Sequence, residues 1–353
     1  MSRICFIAQF PPPIHGLSKA VDTLYNSPLA EEFEFEKVNI TDNRAILRNL
    51  LAICRSRADL FYFTISQTRG GNLRDLIILK LLRLRRKRCL IHLHGGNYRQ
   101  MVENDLPAWQ RKANHRAMAA LAGAIVLGPS LKFNFEGMVP EARIFTVPNC
   151  VDDEYLMSDG EFAEKLRTLP ERGVKHVLYL SNFIKSKGYP AVLEMAKLEK
   201  RRVDAGGERA FHFDFAGKFF EASEEADFKS FVKDNGLEDY VTYHGVVGGE
   251  EKRALLKRGD VFILLTRYPK EGQPISILEA MGNGMAIATT DHAGIPDIVP
   301  ENNFVFRDVD AQDVLARIAV SEETARTNRA AVLNGYTETR YIQNMRSVFK
   351  EFV

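Results

Sequence analysis

Glu271 and Glu279 stand with seven residues between them, on either side of the helix entry Gly272-Gln273-Pro274. The run DVFILLT before them reads as a buried strand, and Ile277, Leu278 and Met281 after them share one face of a helix. Proline suits a helix start, where its missing N–H costs nothing. Gly282 and Gly284 stand where that helix should end. A helix that opens at the C-terminal edge of a parallel sheet offers free N–H groups and a positive dipole end, which suits a diphosphate. Ionised carboxylates only accept hydrogen bonds, so the two glutamates fit hydroxyls of a sugar or a ribose. The plainer assignment makes Glu271 a helix-dipole charge and Glu279 a solvated helix residue.

Three other segments carry groups of the right type. In LYLSNFIKSKGY, Lys187 precedes a helix at Gly188, where an ammonium can neutralise a departing diphosphate as a point charge. In FPPPIHGLSKA, Gly16 permits close backbone approach ahead of a helix, beside His15; a tight strand-to-helix turn explains the same residues. In CLIHLHGGN, His94 ends a strand before two glycines, with His92 behind it on the same face as support. Asp308-Val309-Asp310 has a metal-binding spacing but precedes a helix, which fits capping better, so no metal is expected. No GxGxxG follows the first strand, which speaks against a dinucleotide cofactor, and no cofactor is expected.

These groups need a scaffold of alternating strands and helices. RICFIA, FEFEKVN, DLFYFT, CLIHLH, GAIVLG and RIFTVP are strand candidates in the first half, with helices beginning near Gly16, Asp42, Gly71, Asp105 and Pro129. HVLYLS, FHFDFAG, YVTYHG, DVFILLT and MAIATT follow in the second half, with helices from about Gly188, Glu224, Gly249 and Ile275. The expectation is an α/β chain of two doubly wound, Rossmann-like domains whose strand C-termini face a central cleft. The polar stretch Val151–Gly173 is the candidate linker. Expected boundaries are 1–165 for an N-terminal acceptor-binding domain and 166–335 for a C-terminal donor-binding domain. Residues 336–353 form a last helix whose stripe of Tyr341, Met345, Val348 and Phe352 must be buried, the N-terminal domain being one berth.

At 353 residues the chain exceeds what one core usually supports. A composition of 45% hydrophobic and 27% charged residues excludes a disordered chain. A formal net charge of +2 gives no ground for a nucleic-acid partner. The four cysteines form no CxxC pair, which points to a reducing, cytoplasmic setting. The longest apolar run, Ala117 to Gly128, is too short to cross a bilayer, so any membrane contact is peripheral. RDLIILKLLRLRRKR, from Arg74 to Arg88, holds six cations in its last nine residues. It reads either as a solvated helix face or as a contact with an anionic membrane surface.

Glu271 and Glu279 at their spacing, followed by AMGNGMAIATTDHAGIPDIV, resemble the group 1 retaining glycosyltransferases (glycosyltransferase family 4), which have the GT-B fold. The resemblance covers nearly the whole chain and is most specific in its C-terminal half. It implies that Glu271 faces the donor sugar, that Glu279 binds the ribose, and that backbone amides near Gly272, Gln273, Ile275 and Ser276 hold the donor phosphates. It also implies a phosphate role for Lys187, a donor-sugar contact for His94 and a Gly-rich loop at Gly16. The family's Gly-Arg pair is replaced here by Ser181 and Asn182, so one expected cation is missing; Asn182 as a hydrogen-bond donor, Lys185 or Lys218 are the substitutes. The implied reaction is metal-independent, retaining transfer from a UDP- or GDP-sugar to a saccharide or lipid-linked saccharide in bacterial surface polysaccharide synthesis (O-antigen, capsule or exopolysaccharide). A GT-B epimerase or phosphorylase, or a non-catalytic sugar-nucleotide or membrane-binding scaffold, remains the alternative.

Overall fold

The computed structural model describes residues 1–12 and 16–353; His15 lies outside them. The chain clusters into two units, one of Met1–Cys150, Pro269–Gln273 and Glu338–Val353, the other of Val151–Tyr268 and Pro274–Thr337.

The first unit carries β1 (Arg3–Ala8), β2 (Glu34–Asn39), β3 (Leu60–Thr64), β4 (Arg88–Leu93), β5 (Gly123–Val126) and β6 (Ile144–Thr146). They form a parallel sheet of order β2-β1-β3-β4-β5-β6. Continuous apolar runs are what a parallel strand covered on both faces requires, and Leu60–Thr64 is buried at every position. On one face Phe6, Tyr62, Leu90 and Ile125 pack with Tyr341, Met345, Val348 and Phe349 of the helix Glu338–Lys350. The last helix thus finds its berth on this sheet. Phe349 takes the deep place expected of Phe352, which is only half-buried, edge-on to Phe145 at 5.7 Å.

The second unit repeats the plan with β7 (Lys175–Leu180), β8 (Phe211–Ala216), β9 (Val241–Tyr243), β10 (Val261–Leu264), β11 (Ala286–Thr290) and β12 (Phe304–Phe306), all parallel. Their order is β12-β11-β10-β7-β8-β9. β12 has no counterpart in the sequence reading.

The linker expected over Val151–Gly173 is ordered structure instead. Ser158 and Glu161 close a capping box on the helix Asp159–Thr168. Phe162 and Leu166 of that helix pack with Met157 and Ala325. Buried Lys165 donates to the carbonyls of Gly259 (2.6 Å) and Asn283 (2.9 Å). The division between units accordingly falls after Cys150, ahead of the expected boundary at 165. The helix expected near Pro129 is a 3-10 run, Pro129–Phe135.

Candidate functional site

The strand β10 delivers the chain to Glu271, Gly272 and Gln273, all buried. These three cluster with the first unit, whereas Pro274–Thr337 belongs to the second. Gly272 lies against the backbone after β4: a Cβ there would sit 2.8 Å from the His94 carbonyl oxygen and 2.9 Å from Gly95 Cα. Only glycine fits that approach. Gln273 is fixed by three hydrogen bonds. Its Oε1 accepts from the Asn149 amide (2.7 Å), its Nε2 donates to the Leu127 carbonyl (3.1 Å), and its own carbonyl accepts from Asn149 Nδ2 (2.9 Å). The side chain is therefore committed to scaffolding.

His94 is half-buried at the end of β4, its ring 3.9 Å from that of His92 between centroids and tilted by 34°. His92 Nδ1 lies 2.7 Å from Tyr62 Oη, and His92 Nε2 is buried with no hydrogen-bond partner among the described residues. Burial, and then the neighbouring His94, hold the His92 imidazole well below its ordinary pKa, so it stays neutral. A neutral ring packs behind His94 without adding charge. Gln67 Oε1 accepts from the Asn97 amide at 2.7 Å and steadies the following loop. Gly16 is the exposed first residue of the helix Gly16–Tyr25.

In the second unit the helix Ile275–Gly282 starts with Pro274 as its N-cap, one place earlier than the first-turn position expected for it. No side chain caps this start, so the Ile275 and Ser276 amides begin a helix end of positive potential. Gly284, at φ +71°, takes the left-handed conformation just past the helix end. Asn283 Nδ2 bonds the Glu279 and Tyr155 carbonyls, each at 2.8 Å, and Asn283 Oδ1 accepts from the Met157 amide at 3.1 Å.

Glu279 is 3% exposed, far from the solvated residue of the plainer assignment. Lys252 Nζ, from the helix Gly249–Arg258, reaches its Oε1 at 2.6 Å and lies 4.0 Å from the Tyr155 ring centroid. Burial raises the Glu279 carboxyl above its ordinary pKa. Lys252 opposes this, and Asp152 and Glu154 add to it. Lys252 and Tyr155 escaped the sequence reading; their only signal was a lone lysine and a lone tyrosine in polar stretches.

Lys187 is half-buried, and Gly188 behind it has φ +89° with no room for a Cβ, which would lie 2.5 Å from the Leu265 carbonyl oxygen. The loop is tied to the segment after β10, because the Arg267 amide donates to the Ser186 carbonyl at 2.6 Å. Lys187 Nζ stands 5.3 Å from the Tyr268 ring centroid. Asn182 is exposed, its carbonyl accepting from Tyr179 Oη at 3.0 Å; Lys185 and Lys218 are exposed as well. Asp310 caps the helix Ala311–Arg317 by accepting from the Asp313 amide at 2.8 Å.

Elsewhere in this unit His176, His212 and Asp214 bring metal-ligating atoms within 4.8 Å of one another. Arg209 donates to His212 Nδ1 at 2.8 Å, which leaves the neutral ring's proton on Nε2, facing Thr242 Oγ1 at 2.9 Å. His176 and His244 lie 2.8 and 2.7 Å from Asp214, which also pairs with Arg258 at 2.5 Å. Burial pushes the Asp214 carboxyl up, but these partners outweigh it and leave it below its ordinary value. The cluster is a satisfied hydrogen-bond network around one buried carboxylate.

Two doubly wound parallel sheets in one chain define an α/β protein of the GT-B class. Residues 163–337 match the family model for glycosyl transferases group 1. It is 29% identical over 146 residues to the amylovoran biosynthesis glycosyltransferase AmsK of Erwinia amylovora, covering 40% of this chain and 34% of that protein. It is 28% identical over 178 residues to the putative colanic acid biosynthesis glycosyltransferase WcaL of Salmonella typhimurium, covering 46% and 44%. The chain thus spans less than half the length of these curated relatives. The crystal structure of Anabaena HepE in complex with UDP and glucose shares the fold at TM-score 0.70 and 15% identity, over 99% of this chain and 100% of that one. Sucrose-phosphate synthase from Thermosynechococcus elongatus does so at 0.73 and 14%, over 99% of each.

Proposed function

We propose that this protein is a retaining glycosyltransferase that moves a sugar from a UDP- or GDP-sugar to a saccharide acceptor of a bacterial surface polysaccharide. The observation that carries the reading is the uncapped start of the helix Ile275–Gly282 with the buried, lysine-paired carboxylate of Glu279 in its second turn. A diphosphate fits the amides and a ribose fits the carboxylate. The names of the relatives support the polysaccharide setting, and the UDP and glucose of the HepE complex support the donor class.

In this reading the amides of Gly272, Gln273, Ile275 and Ser276, with Lys187, take up the charge that grows on the departing diphosphate. Glu271 holds donor-sugar hydroxyls and His94 borders the sugar. The acceptor hydroxyl attacks the anomeric carbon as the bond to phosphate breaks, and its proton passes to the leaving phosphate oxygen. The charge of Lys187 and the helix end does the work a divalent cation does in other transferases, so the reaction is metal-independent. The setting is cytoplasmic, at the inner face of the membrane for a lipid-linked acceptor. No helix among the described residues is long and apolar enough to cross a membrane.

Purified Glu271→Ala should fold and bind nucleotide yet lose transfer; near-native transfer would overturn the assignment. A thermal-shift series with UDP, GDP, ADP and their sugars identifies the base.

A further inference from the structure

The net charge of +2 conceals a strong local asymmetry. Between Asp42 and Arg88 twelve arginines and lysines face three aspartates and no glutamate, so the remainder of the chain is acidic. The structure sorts these cations. Arg74 is bound to Asp75, Arg85 donates to the carbonyls of Ile53 and Ser56, Lys87 to that of Ala58 and Arg88 to that of Phe352. Four of the seven cations in the run at 74–88 are therefore spent on the fold. Arg44, Arg48, Arg55, Lys80, Arg83 and Arg86 are exposed.

The apolar side chains follow the same pattern. Leu47 (80% exposed) and Leu51 lie on the helix Ile46–Arg55, and Leu73, Ile77 and Leu84 on the helix Arg69–Leu84. Trp109, the single tryptophan of the chain, is 61% exposed on the helix Ala108–Met118, near exposed Arg111 and Lys112. The helices at 46–55 and 69–84 pack on each other, and the latter packs on the helix at 108–118. Asn72, Gln110 and Asn114 lock that second contact with buried hydrogen bonds of 2.8 to 2.9 Å. Three adjoining helices thus present leucines, an isoleucine and a tryptophan among arginines and lysines.

We propose that this three-helix layer is the surface on which the protein docks to an anionic lipid bilayer, with the helix at 46–55 a full partner of the basic run. Exposed leucines offer nothing to a polyanion such as nucleic acid but bury in the acyl boundary of a membrane, while the arginines meet the headgroups. An indole fits the interface between the two. The proposal builds on the transferase reading only in supplying a lipid-linked acceptor.

The full chain should float with vesicles of phosphatidylcholine carrying about 30% phosphatidylglycerol, and not with phosphatidylcholine alone. Each cation contributes about 1 kcal/mol at such a surface, so Arg48→Gln with Arg83→Gln should weaken binding about thirtyfold. Leu47→Ser with Leu51→Ser should weaken it without changing its salt dependence. Nucleotide-induced thermal shifts should be unchanged in both double variants, which separates this test from that of the donor site. Equal binding to neutral vesicles, full binding by the Leu47/Leu51 variant, or a solution dimer lost in that variant would overturn the proposal, the last assigning the face to a second copy of the chain.

Discussion

Lys252 Nζ lies 2.6 Å from Glu279 Oε1, and the two side chains are only 18% and 5% exposed. Burial raises the Glu279 carboxyl above its ordinary pKa, and the Lys252 ammonium opposes that rise.

The consequence is a pH-dependent donor affinity. Because the Glu279 pKa is raised, its ionised form is complete above that value and is lost as pH falls through it. Nucleotide affinity should therefore weaken in mildly acid solution, before an ordinary glutamate would protonate. Lys252→Met removes the lowering partner and should move this loss to higher pH, whereas Lys252→Arg should not. Calorimetric Kd values across the pH range check both. Glu279→Gln should cost about tenfold to a hundredfold in affinity, the worth of hydrogen bonds to a charged group.

Lys187→Ala should lower kcat about a hundredfold to a thousandfold, as expected for one preorganised group that stabilises leaving-group charge. The Kd for nucleotide should change far less. Steady-state kinetics beside calorimetry distinguishes the two; an equal loss in both would make Lys187 a ground-state binding residue.

Gly272→Ala should destabilise the first unit by about 1–3 kcal/mol, because its Cβ meets the His94 carbonyl and Gly95 Cα with no flexible side chain to yield. Gln273→Ala should cost a similar amount, about 1–3 kcal/mol, by leaving the buried Asn149 amide and Leu127 carbonyl without their partners. Thermal unfolding reads both as lower Tm.

Chelation should leave transfer unchanged. Activity lost to a chelator and restored by a divalent cation would overturn the metal-independent reading.

The central strands were readable because they are short, nearly continuous apolar runs, the pattern a parallel strand covered on both faces must have. The helix at Ile275 was readable from Pro274 and the glycines that end it, and the Glu271–Glu279 spacing from chain order alone. Other features depended on neighbours distant in sequence. The helix at 159–168 hid in a polar stretch because its apolar contacts are few, although Ser158 and Glu161 announced its start. Lys252 is 27 residues from Glu279 in the chain, and no local pattern pairs them. Gln273 became a scaffold residue only once Asn149 and Leu127 stood beside it. Local propensity and periodicity act within a few residues, so they set elements and caps; which charge meets which, and which glycine has no room for a Cβ, is decided by packing between segments that the chain keeps far apart.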